Sequence, residues 1–461
     1  MKGALSMLSC DTLALTGSYF ANGHPALMKN SDRPLGEAQP LAFFPAADHA
    51  AGEMLSCTHL TIPQCAHTYA VLGCKPYWIW GFEMGANEKG LFIGNEAEGS
   101  RCEGERVEGL LGMDLLRLAL ERAATCREAI AVIDKLLREY GQNANANPLY
   151  DRRYENSFIL ADEAEVWVME TAGREWAARK IKDFAAVSNC YTIEENIDLC
   201  SDDLERLARE NRWLSPNEPM NFAKAYTLPA IRQTLSTPRQ RRMDKLVRKR
   251  RKPLTEANLK TIFRDHFEGE LIEPRFGACQ ATFTTICMHA GTWDSAQTAC
   301  SMLFTHDDVL GPVMRYAPSL PCCSVYLPVY WTGFLPQAMT LGGAAYSSDS
   351  LWWRMERLAI QVSMDEENFG EAVREALAIM EKELTAKSAK SEAEARALVL
   401  SGNREAALQK LNTLMQETCD TVMESVRWLS AQLSSEIAET GVCGPRKEFL
   451  QAYCERCKFT L

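Results

Sequence analysis

The sequence predicts an α+β fold, because runs of strands alternate with runs of helices instead of following a regular βαβ order. Short apolar runs between Gly, Pro, Asn and Asp occupy residues 10–100, as expected of strands separated by turns. Two segments with apolar residues at helical spacing follow them. From about residue 347 onward, Ala, Glu, Leu, Met and Lys predominate, which predicts a C-terminal helical region.

The individual elements follow in this order. The strand-like runs within 10–100 are TLALTG, PALMKNSD, HLTIP, TYAVLGC and GLFIGNEA, and amphipathic helices are predicted over 110–123 and 126–141. A strand meander is predicted over 157–189, polar helices over 200–265, and a second strand group over 280–290, 297–305 and 322–331. We place a domain boundary near residue 345, in TLGGAAYSSDS. The sequence contains no glycine-rich phosphate-binding motif.

Composition limits the classes of function. The formal net charge of −11 argues against a nucleic-acid or anionic-membrane binder, because affinity for phosphate comes from Lys and Arg. Seventeen scattered cysteines form no spaced framework, which indicates reduced thiols in a cytoplasmic protein. The N-terminal residues have no secretory pattern, and no run approaches about 18 apolar residues, so no membrane segment is predicted.

Cys10, at the start of CDTLALTG, is the candidate nucleophile. A thiol becomes a strong nucleophile when a base takes its proton, and none of the seven histidines has a recognisable catalytic setting. If the chain is cut between Ser9 and Cys10, the free α-amine can be that base, since its ordinary pKa is about 7.7–8.0. The alternative is an ordinary buried thiol at the start of an edge strand.

Five motifs in order resemble the secernins and the related C69 dipeptidases, within the N-terminal nucleophile hydrolase group. They are CDT (10–12), KNSDRP (29–34), EMGANE (83–88), GNEA (94–97) and LLGMDLLRLALERA (110–123). The resemblance implies a four-layer αββα sandwich and a reaction without a metal or organic cofactor. It also implies a propeptide at 1–9 removed by autoprocessing, a hydrolase domain at 10–345 and a C-terminal helical region at 346–461.

The resemblance assigns the nucleophile to Cys10, which would form a thioester acyl-enzyme. Asp32 matches the aspartate that holds the N-terminal amine, although an Asx turn before Arg33 is the alternative. Lys29 stands where the penicillin V acylase and bile salt hydrolase branch has an arginine. A cation beside a thiol lowers the thiol's pKa. Arg33 is equally compatible with a structural ion pair.

Two asparagines end apolar runs and are candidates to donate an N–H group to the oxyanion. Asn95 lies in GLFIGNEA and Asn189 in VSNCYTI, and such a donor contributes on the order of 3 kcal/mol. The alternative for each is a turn residue in the left-handed conformation. For substrate binding, Glu83 and Glu96 are candidates for a dipeptide's ammonium group. Trp80, in the aromatic run PYWIWGFEMG, either lines a pocket or packs in the core.

Two further segments have weaker patterns. Residues 238–253 contain nine basic residues, which resembles a nucleic-acid patch, but in an acidic chain an exposed helix or a loop is favoured. Cys454 and Cys457 have CxxC spacing without a second suitable pair, so no metal site is expected.

The sequence therefore predicts a cysteine hydrolase of small peptide or amide substrates, most like a dipeptidase, that binds neither nucleic acid nor a membrane. It leaves open whether the chain forms a homo-oligomer. The alternatives are an acyltransferase or amidase on another small amide, and a non-catalytic, secernin-like regulatory protein.

Overall fold

The computed structural model describes residues 9–102, 109–228, 236–270, 285–290, 296–440 and 447–459. Residues 1–8 of the predicted propeptide lie outside this part of the chain. The chain divides into two compact units. Unit 1 comprises Met1–Lys29, Phe44–Lys75 and Ile79–Thr255, and unit 2 comprises Asn30–Phe43, Pro76–Trp78 and Glu256–Leu461.

Unit 1 contains a large antiparallel sheet whose strands follow the order β15-β13-β12-β11-β10-β9-β8. These strands are β8 (Val71–Cys74), β9 (Met84–Asn87), β10 (Phe92–Glu98), β11 (Glu155–Ala161), β12 (Val166–Ala172), β13 (Glu175–Lys180) and β15 (Leu199–Cys200). A second antiparallel pair joins β1 (Cys10–Leu15) to β14 (Phe184–Ser188), with Asp11 opposite Ser188. β2 (Ala26–Pro34) begins in unit 1 and ends in unit 2.

Helices cover both faces of these strands in unit 1. Helices α1 (Gly112–Arg122) and α2 (Cys126–Tyr140) pack on the large sheet, and β1 packs on β10 and β11. Helix α5 (Ser236–Arg248) packs on β1 and β14. Alternate residues of β10 point to opposite faces: Asn95 contacts Met113 of α1, whereas Glu96 accepts a hydrogen bond from Thr12 of β1. The predicted four-layer αββα arrangement is therefore confirmed within unit 1.

Helix α2 shows how local sequence sets an element. The side chain of Thr125 accepts a hydrogen bond from the Glu128 N–H, and the Glu128 carboxylate accepts one from the Ala124 N–H. This reciprocal capping satisfies N–H groups that the first turn leaves unpaired. The helix ends at Gly141, whose φ of 69° favours glycine. Both predicted helices, 110–123 and 126–141, are confirmed.

The remaining elements of unit 1 are short. They are two-stranded ribbons formed by β4 (Ala47–Asp48) with β7 (His67–Thr68) and by β5 (Met54–Ser56) with β6 (Thr61–Pro63), and the helices α3 (Leu204–Glu210) and α4 (Phe222–Tyr226). Strand β3 (Leu41–Phe44) spans the boundary between the units.

Unit 2 combines an antiparallel meander with long helices. The meander is β16 (Ala296–Asp307), β17 (Gly311–Pro318) and β18 (Leu327–Tyr330), and a 3-10 turn, Pro321–Cys323, precedes β18. The helices are α6 (Glu256–Phe263), α7 (Gln337–Thr340), α8 (Leu351–Met364), α9 (Glu366–Leu400), α10 (Arg404–Thr440) and α11 (Lys447–Cys457). The predicted C-terminal helical region is confirmed. Among the described helices, none has both the length and the apolar content needed to cross a membrane.

One predicted strand differs from the structure, and the predicted domain boundary is a separate matter. Residues 285–290 of the predicted strand 280–290 form no strand, and 280–284 lie outside the described residues. The compact units do not coincide with the predicted boundary at 345, because α8 packs on β17 and α10 on β18 within unit 2. The predicted limits of the hydrolase domain (10–345) and of the C-terminal helical region (346–461) stay predictions.

Candidate active site

Cys10 is the first residue of β1, and its backbone nitrogen is held by a side chain from a distant segment. The Cys10 N–H donates to Asn189 Oδ1 at 2.9 Å, although the two residues are 179 positions apart. Only 5% of Cys10 is exposed. In this form the chain still contains Ser9, so the amide of the Ser9–Cys10 bond stands for the amine that cleavage would release.

Arg239, from α5, is a site residue that the sequence analysis did not identify. Its Nη1 donates to the Cys10 carbonyl oxygen at 3.0 Å and to Asp11 Oδ2 at 2.7 Å, and its Nη2 donates to Asn189 Oδ1 at 2.8 Å. Its side chain is 1% exposed. The expectation that segment 238–253 is an exposed helix or loop is therefore wrong at Arg239. This side chain is buried and binds the Cys10 carbonyl, the Asp11 carboxylate and the Asn189 amide.

A signal for Arg239 was present in the sequence. Arg239, Met243 and Val247 are spaced by four residues, and all three are buried on one face of α5. An arginine within an apolar stripe of that spacing indicates a buried partner. The partner here is Asp11, which also accepts a hydrogen bond from the Ser188 hydroxyl. Burial raises the pKa of Asp11 to about 6, although Arg239 opposes the shift.

Lys29 lies in a buried group of charges beside Cys10. Its Nζ is 3.8 Å from Glu83 Oε2 and 4.0 Å from Glu96 Oε1. Burial lowers the pKa of Lys29, but the acidic groups of Cys10, Glu96 and Glu83 beside it outweigh this and raise the pKa above its ordinary value. Lys29 is therefore a cation next to the candidate nucleophile, and its effect on the thiol stays a prediction.

Glu83 and Glu96 face Lys29 and are buried. Burial raises the pKa of Glu96 to about 8, and Lys29 and the hydroxyl of Thr12 partly oppose the shift. Both carboxyl groups thus have an internal cation as neighbour. Their assignment to the ammonium group of a substrate stays a prediction.

The two candidate oxyanion donors occupy different positions. Asn189 touches Cys10 through its oxygen, while its Nδ2 donates to the Ala97 carbonyl at 2.8 Å. The Asn95 amide lies toward α1 and beside Glu83, and the orientation that satisfies its neighbours has Nδ2 donating to the Glu83 carbonyl oxygen at 3.0 Å. Each amide nitrogen has an acceptor in this form, so donation to an oxyanion stays a prediction for both.

Asp32 belongs to the part of β2 that lies in unit 2. Its Oδ1 accepts a hydrogen bond from the Thr298 hydroxyl at 2.6 Å, and its side chain is buried. Thr298 lies on β16, so a strand of unit 2 orients this carboxylate. The expected contact between Asp32 and the amine of Cys10 stays a prediction.

Trp80 is partly exposed and packs against a cation in unit 1. The Arg117 guanidinium lies 3.9 Å from the Trp80 ring and 3.7 Å from the Phe44 ring. Arg117 also donates to the Trp80 carbonyl at 2.9 Å and pairs with Glu121. Such stacking accounts for the aromatic run as packing, and a substrate role for Trp80 stays a prediction.

Unit 1 has a polar groove of about 620 Å³. Some of the residues that line it are close to Asn189 or Arg239 along the chain. It is lined by Cys190, which follows Asn189, and by Thr237 and Gln240, which flank Arg239. Charged groups of both signs also line it, namely Glu194, Lys224 and Arg241.

The match to a family model decides the family. Residues 65–379, more than half of the chain, match the model of peptidase family C69. The chain belongs to peptidase family C69. The resemblance found in the five motifs is thereby confirmed at the level of the family. C69 peptidases are hydrolases with a cysteine nucleophile, and this chain is therefore a hydrolase of that class. The matched range begins after Cys10, Lys29 and Asp32, so their roles rest on the motifs and the geometry.

Solved structures that resemble this C69 chain superpose on it with TM-scores below 0.5. A point mutant of the conjugated bile acid hydrolase from Clostridium perfringens has a TM-score of 0.39 at 12% identity and covers 72% of this chain and 95% of its own. A second variant of that hydrolase has 0.39 at 14% identity, covering 70% and 92%. The Caenorhabditis elegans orthologue of N-acylethanolamine-hydrolyzing acid amidase has 0.33 at 10% identity, covering 64% and 92%. TM-scores of this size do not establish a shared fold.

Proposed function

We propose that the chain is a cysteine N-terminal nucleophile hydrolase, most like a dipeptidase, that becomes active when the Ser9–Cys10 bond is cut. The observation that carries the proposal is the hydrogen bond from the Cys10 nitrogen to Asn189 Oδ1 at 2.9 Å. After cleavage this nitrogen becomes an α-amine on the same residue as the thiol. The acceptor from Asn189 keeps that amine in place as a general base.

The proposed reaction has two stages. The α-amine takes the thiol proton, the Cys10 sulfur attacks the substrate carbonyl carbon, and the ammonium then protonates the departing amine as the C–N bond breaks. Water attacks the resulting thioester carbon while the α-amine accepts its proton. The C–S bond then breaks, the sulfur regains its proton, and a carboxylic acid leaves. Each proton that the amine accepts is returned within the cycle.

Two cations support this chemistry in the proposal. Lys29 favours the thiolate over the thiol, because a positive charge beside sulfur stabilises its anion. Arg239 holds the Cys10 carbonyl, the Asp11 carboxylate and the Asn189 amide in one hydrogen-bonded arrangement. It is a positioning residue, since it acts through the groups that flank the nucleophile.

Two further roles predicted from the sequence remain part of the proposal. Asp32 would accept a second hydrogen bond from the amine, with Thr298 fixing one of its oxygens. Asn95 or Asn189 would donate to the oxyanion. Because the amide nitrogens now donate to Glu83 and Ala97, this donation requires a rotation of one amide when substrate binds.

A short zwitterionic peptide suits the polar groove, whose lining includes sequence neighbours of Asn189 and Arg239. Glu194 offers a carboxylate for a free ammonium group, and Lys224 and Arg241 offer cations for a free carboxylate. This pairing of charges is what supports a dipeptidase over an amidase or acyltransferase acting on an uncharged acyl group. Activity is measured on free dipeptides, on their N-acetylated and C-amidated forms, and on simple acyl amides. Only a dipeptidase should require a substrate with a free ammonium group and a free carboxylate.

Intact-protein mass spectrometry tests the mechanism itself. We expect the active protein to lack residues 1–9 and to add one equivalent of a thiol electrophile at Cys10. Full activity with Met1 to Ser9 still attached would refute the amine-as-base mechanism. A processed protein that labels at Cys10 yet hydrolyses none of these substrates would instead agree with the non-catalytic alternative.

A further inference from the structure

Four potential metal ligands meet in unit 2. They are His266, Cys287, His289 and Cys322, all of them buried, and their ligand atoms lie within 4.8 Å of one another. His289 Nε2 is 3.3 Å from His266 Nε2, 3.3 Å from Cys322 Sγ and 3.9 Å from Cys287 Sγ. The candidate nucleophile Cys10 is not part of this group.

We propose that these four side chains bind one Zn²⁺ ion in a closed, structural Cys2His2 site. Two thiolates and two imidazoles with no open position are the ligand set of structural zinc. With Zn–N near 2.0–2.1 Å and Zn–S near 2.3 Å, a tetrahedron places its ligand atoms about 3.3–3.8 Å apart. The three distances from His289 Nε2 are close to this spacing.

The orientation of His266 agrees with metal binding. Its Nδ1 is 3.0 Å from Glu268 Oε1, and its Nε2 faces His289. A carboxylate on the remote ring nitrogen fixes the tautomer in which Nε2 carries a lone pair. Glu268 thus has the position of the outer carboxylate that commonly supports a zinc-bound histidine.

The proposed site joins three segments that are otherwise distant in the sequence. His266 follows α6, Cys322 lies in the 3-10 turn before β18, and Cys287 and His289 lie in 285–290, which has neither helix nor strand. Thirty-three positions separate His289 from Cys322. A metal ion would cross-link these segments, which explains how an irregular stretch can hold a fixed place in the core.

The backbone of segment 285–290 is also tied to its surroundings. The Cys287 N–H donates to the Asp265 carbonyl at 3.1 Å, and the Met288 N–H donates to Thr298 Oγ1 at 2.9 Å. Thr298 in turn donates to Asp32 at 2.6 Å. Metal binding would therefore also fix the hydroxyl that orients Asp32. The metal site itself does not rest on the proposed function.

The proposed zinc site differs from the sequence prediction, which assigned no metal ligands. Only Cys287 and His289 form a short motif, Cys-Met-His, and the other two ligands are remote in the sequence. The pair that does have CxxC spacing, Cys454 and Cys457, lies on α11 and belongs to no candidate metal cluster among the described residues.

Metal analysis of the full-length protein, purified with reductant and no added metal, tests the proposal. We expect about one zinc per chain by plasma mass spectrometry. Protein stripped with a chelator and titrated with Co²⁺ alone should develop thiolate-to-cobalt charge-transfer absorption and the visible bands of a tetrahedral ion at one equivalent. Protein that holds no zinc when purified and gives no such absorption overturns the proposal. A disulfide between Cys287 and Cys322, found by peptide mass mapping of the non-reduced protein, also overturns the proposal.

Variants locate the site. Cys322→Ser should lose the zinc, whereas Cys419→Ser, which alters a buried thiol of α10, should keep it. A variant of a ligand residue can fail to fold. Glu268→Gln therefore serves as a second test, because it changes an exposed residue that contacts a ligand without being one. It should keep the Co²⁺ spectrum and weaken zinc affinity by about 10–100-fold. Equal zinc loss in Cys322→Ser and Cys419→Ser, or unchanged affinity in Glu268→Gln together with zinc retained in Cys322→Ser, contradicts the assignment.

Discussion

Cys10 and Cys322 are both buried thiols, but their neighbours prepare them for different chemistry. Cys10 lies beside the cation of Lys29 and has its backbone held by Arg239 and Asn189. Cys322 lies 3.3 Å from the imidazole of His289. A thiol beside a cation is prepared to react as an anion, whereas thiols that converge with imidazoles are prepared to bind a metal.

Cys126 provides the third case, a buried thiol beside carboxylates. Burial raises its pKa well above the ordinary value, and the carboxylates of Asp162 and Glu165 add to the shift. Such a thiol stays protonated and inert at neutral pH. Burial alone therefore says nothing about function. What matters is the charge and the lone pairs that the fold places beside the sulfur.

The largest effect is expected from removing the proposed nucleophile. Cys10→Ala should lower kcat by about 10⁴-fold or more, because no other group can form the thioester. The free energy of unfolding should change by about 1–2 kcal/mol at most, since only a sulfur atom is lost. Steady-state hydrolysis and urea unfolding measure the two quantities. As a matched control, Cys126→Ala should keep kcat, and equal losses of kcat in the two variants would erase the distinction between these thiols.

Removing the buried cation of α5 should have the next largest effect. Arg239→Gln leaves the Asp11 carboxylate without its buried ion-pair partner, which typically costs about 3–5 kcal/mol of stability. Hydrolysis should fall as well, because the Cys10 carbonyl and Asn189 lose a donor. Thermal or urea unfolding tests the first effect. Arg241→Gln, an exposed arginine on the same helix, should change stability by less than about 0.5 kcal/mol.

Changing the cation beside sulfur should have a smaller effect. Lys29→Met should lower kcat/KM by about 10–100-fold, because the thiolate loses its stabilising charge. Lys29→Arg keeps the charge and should retain most of the activity, as expected from the arginine in the related hydrolase branch. When the rate of alkylation of Cys10 is plotted against pH, the midpoint of the curve should shift to higher pH in the Met variant alone. Unaltered alkylation in Lys29→Met would show that Lys29 acts only as a structural ion.

The last effect, measured as a slope between neighbouring pH values, is a pH dependence of stability from Glu96. Its folded-state pKa of about 8 exceeds the ordinary glutamate value of 4.5, so between these pH values the folded chain keeps a proton that the unfolded chain has lost. Stability from this group therefore falls as pH rises across that window, by up to about 1.4 kcal/mol per pH unit. Lys29, with a raised pKa, adds a slope only above its ordinary range, so it does not alter this window.

Urea unfolding at several pH values between about 5 and 8 measures this slope. Glu96→Gln cannot lose a proton and should show a flatter profile than the unmodified chain. Glu195→Gln changes an exposed carboxyl group and should leave the slope unchanged. Parallel profiles for Glu96→Gln and the unmodified chain would mean that Glu96 is ionised throughout, as Lys29 is.

The parts of the fold that could be predicted are those set by neighbours in the sequence. Helix α2 has its cap residue Thr125 and its apolar face within one short segment, and β1 and β10 are bounded by turn residues. The strand predicted at 280–290 failed over 285–290, because its apolar and polar residues resemble a strand while Cys287 and His289 belong to a cluster of side chains. Alternation of apolar and polar residues cannot by itself distinguish a strand from an irregular segment whose side chains cluster.

The candidate site could be predicted only in part. Cys10, Lys29 and Asn189 were found from motifs, and the structure places Lys29 and Asn189 next to Cys10. Arg239 was missed because it is one of nine basic residues in 238–253, and the rotation of α5 decides which of them faces inward. Its spacing from Met243 was the available signal.

The sequence by itself determined the order of strands and helices, the family, and a nucleophile candidate near the N-terminus. These follow from local periodicity, turn residues and motifs of a few positions. Only the tertiary structure decided which oxygen holds the Cys10 nitrogen, which arginine reaches Asp11, and that His266, Cys287, His289 and Cys322 converge. Those contacts join residues up to 179 positions apart, and their energies depend on burial and on distances of a few ångströms. Neither quantity exists until the chain has folded.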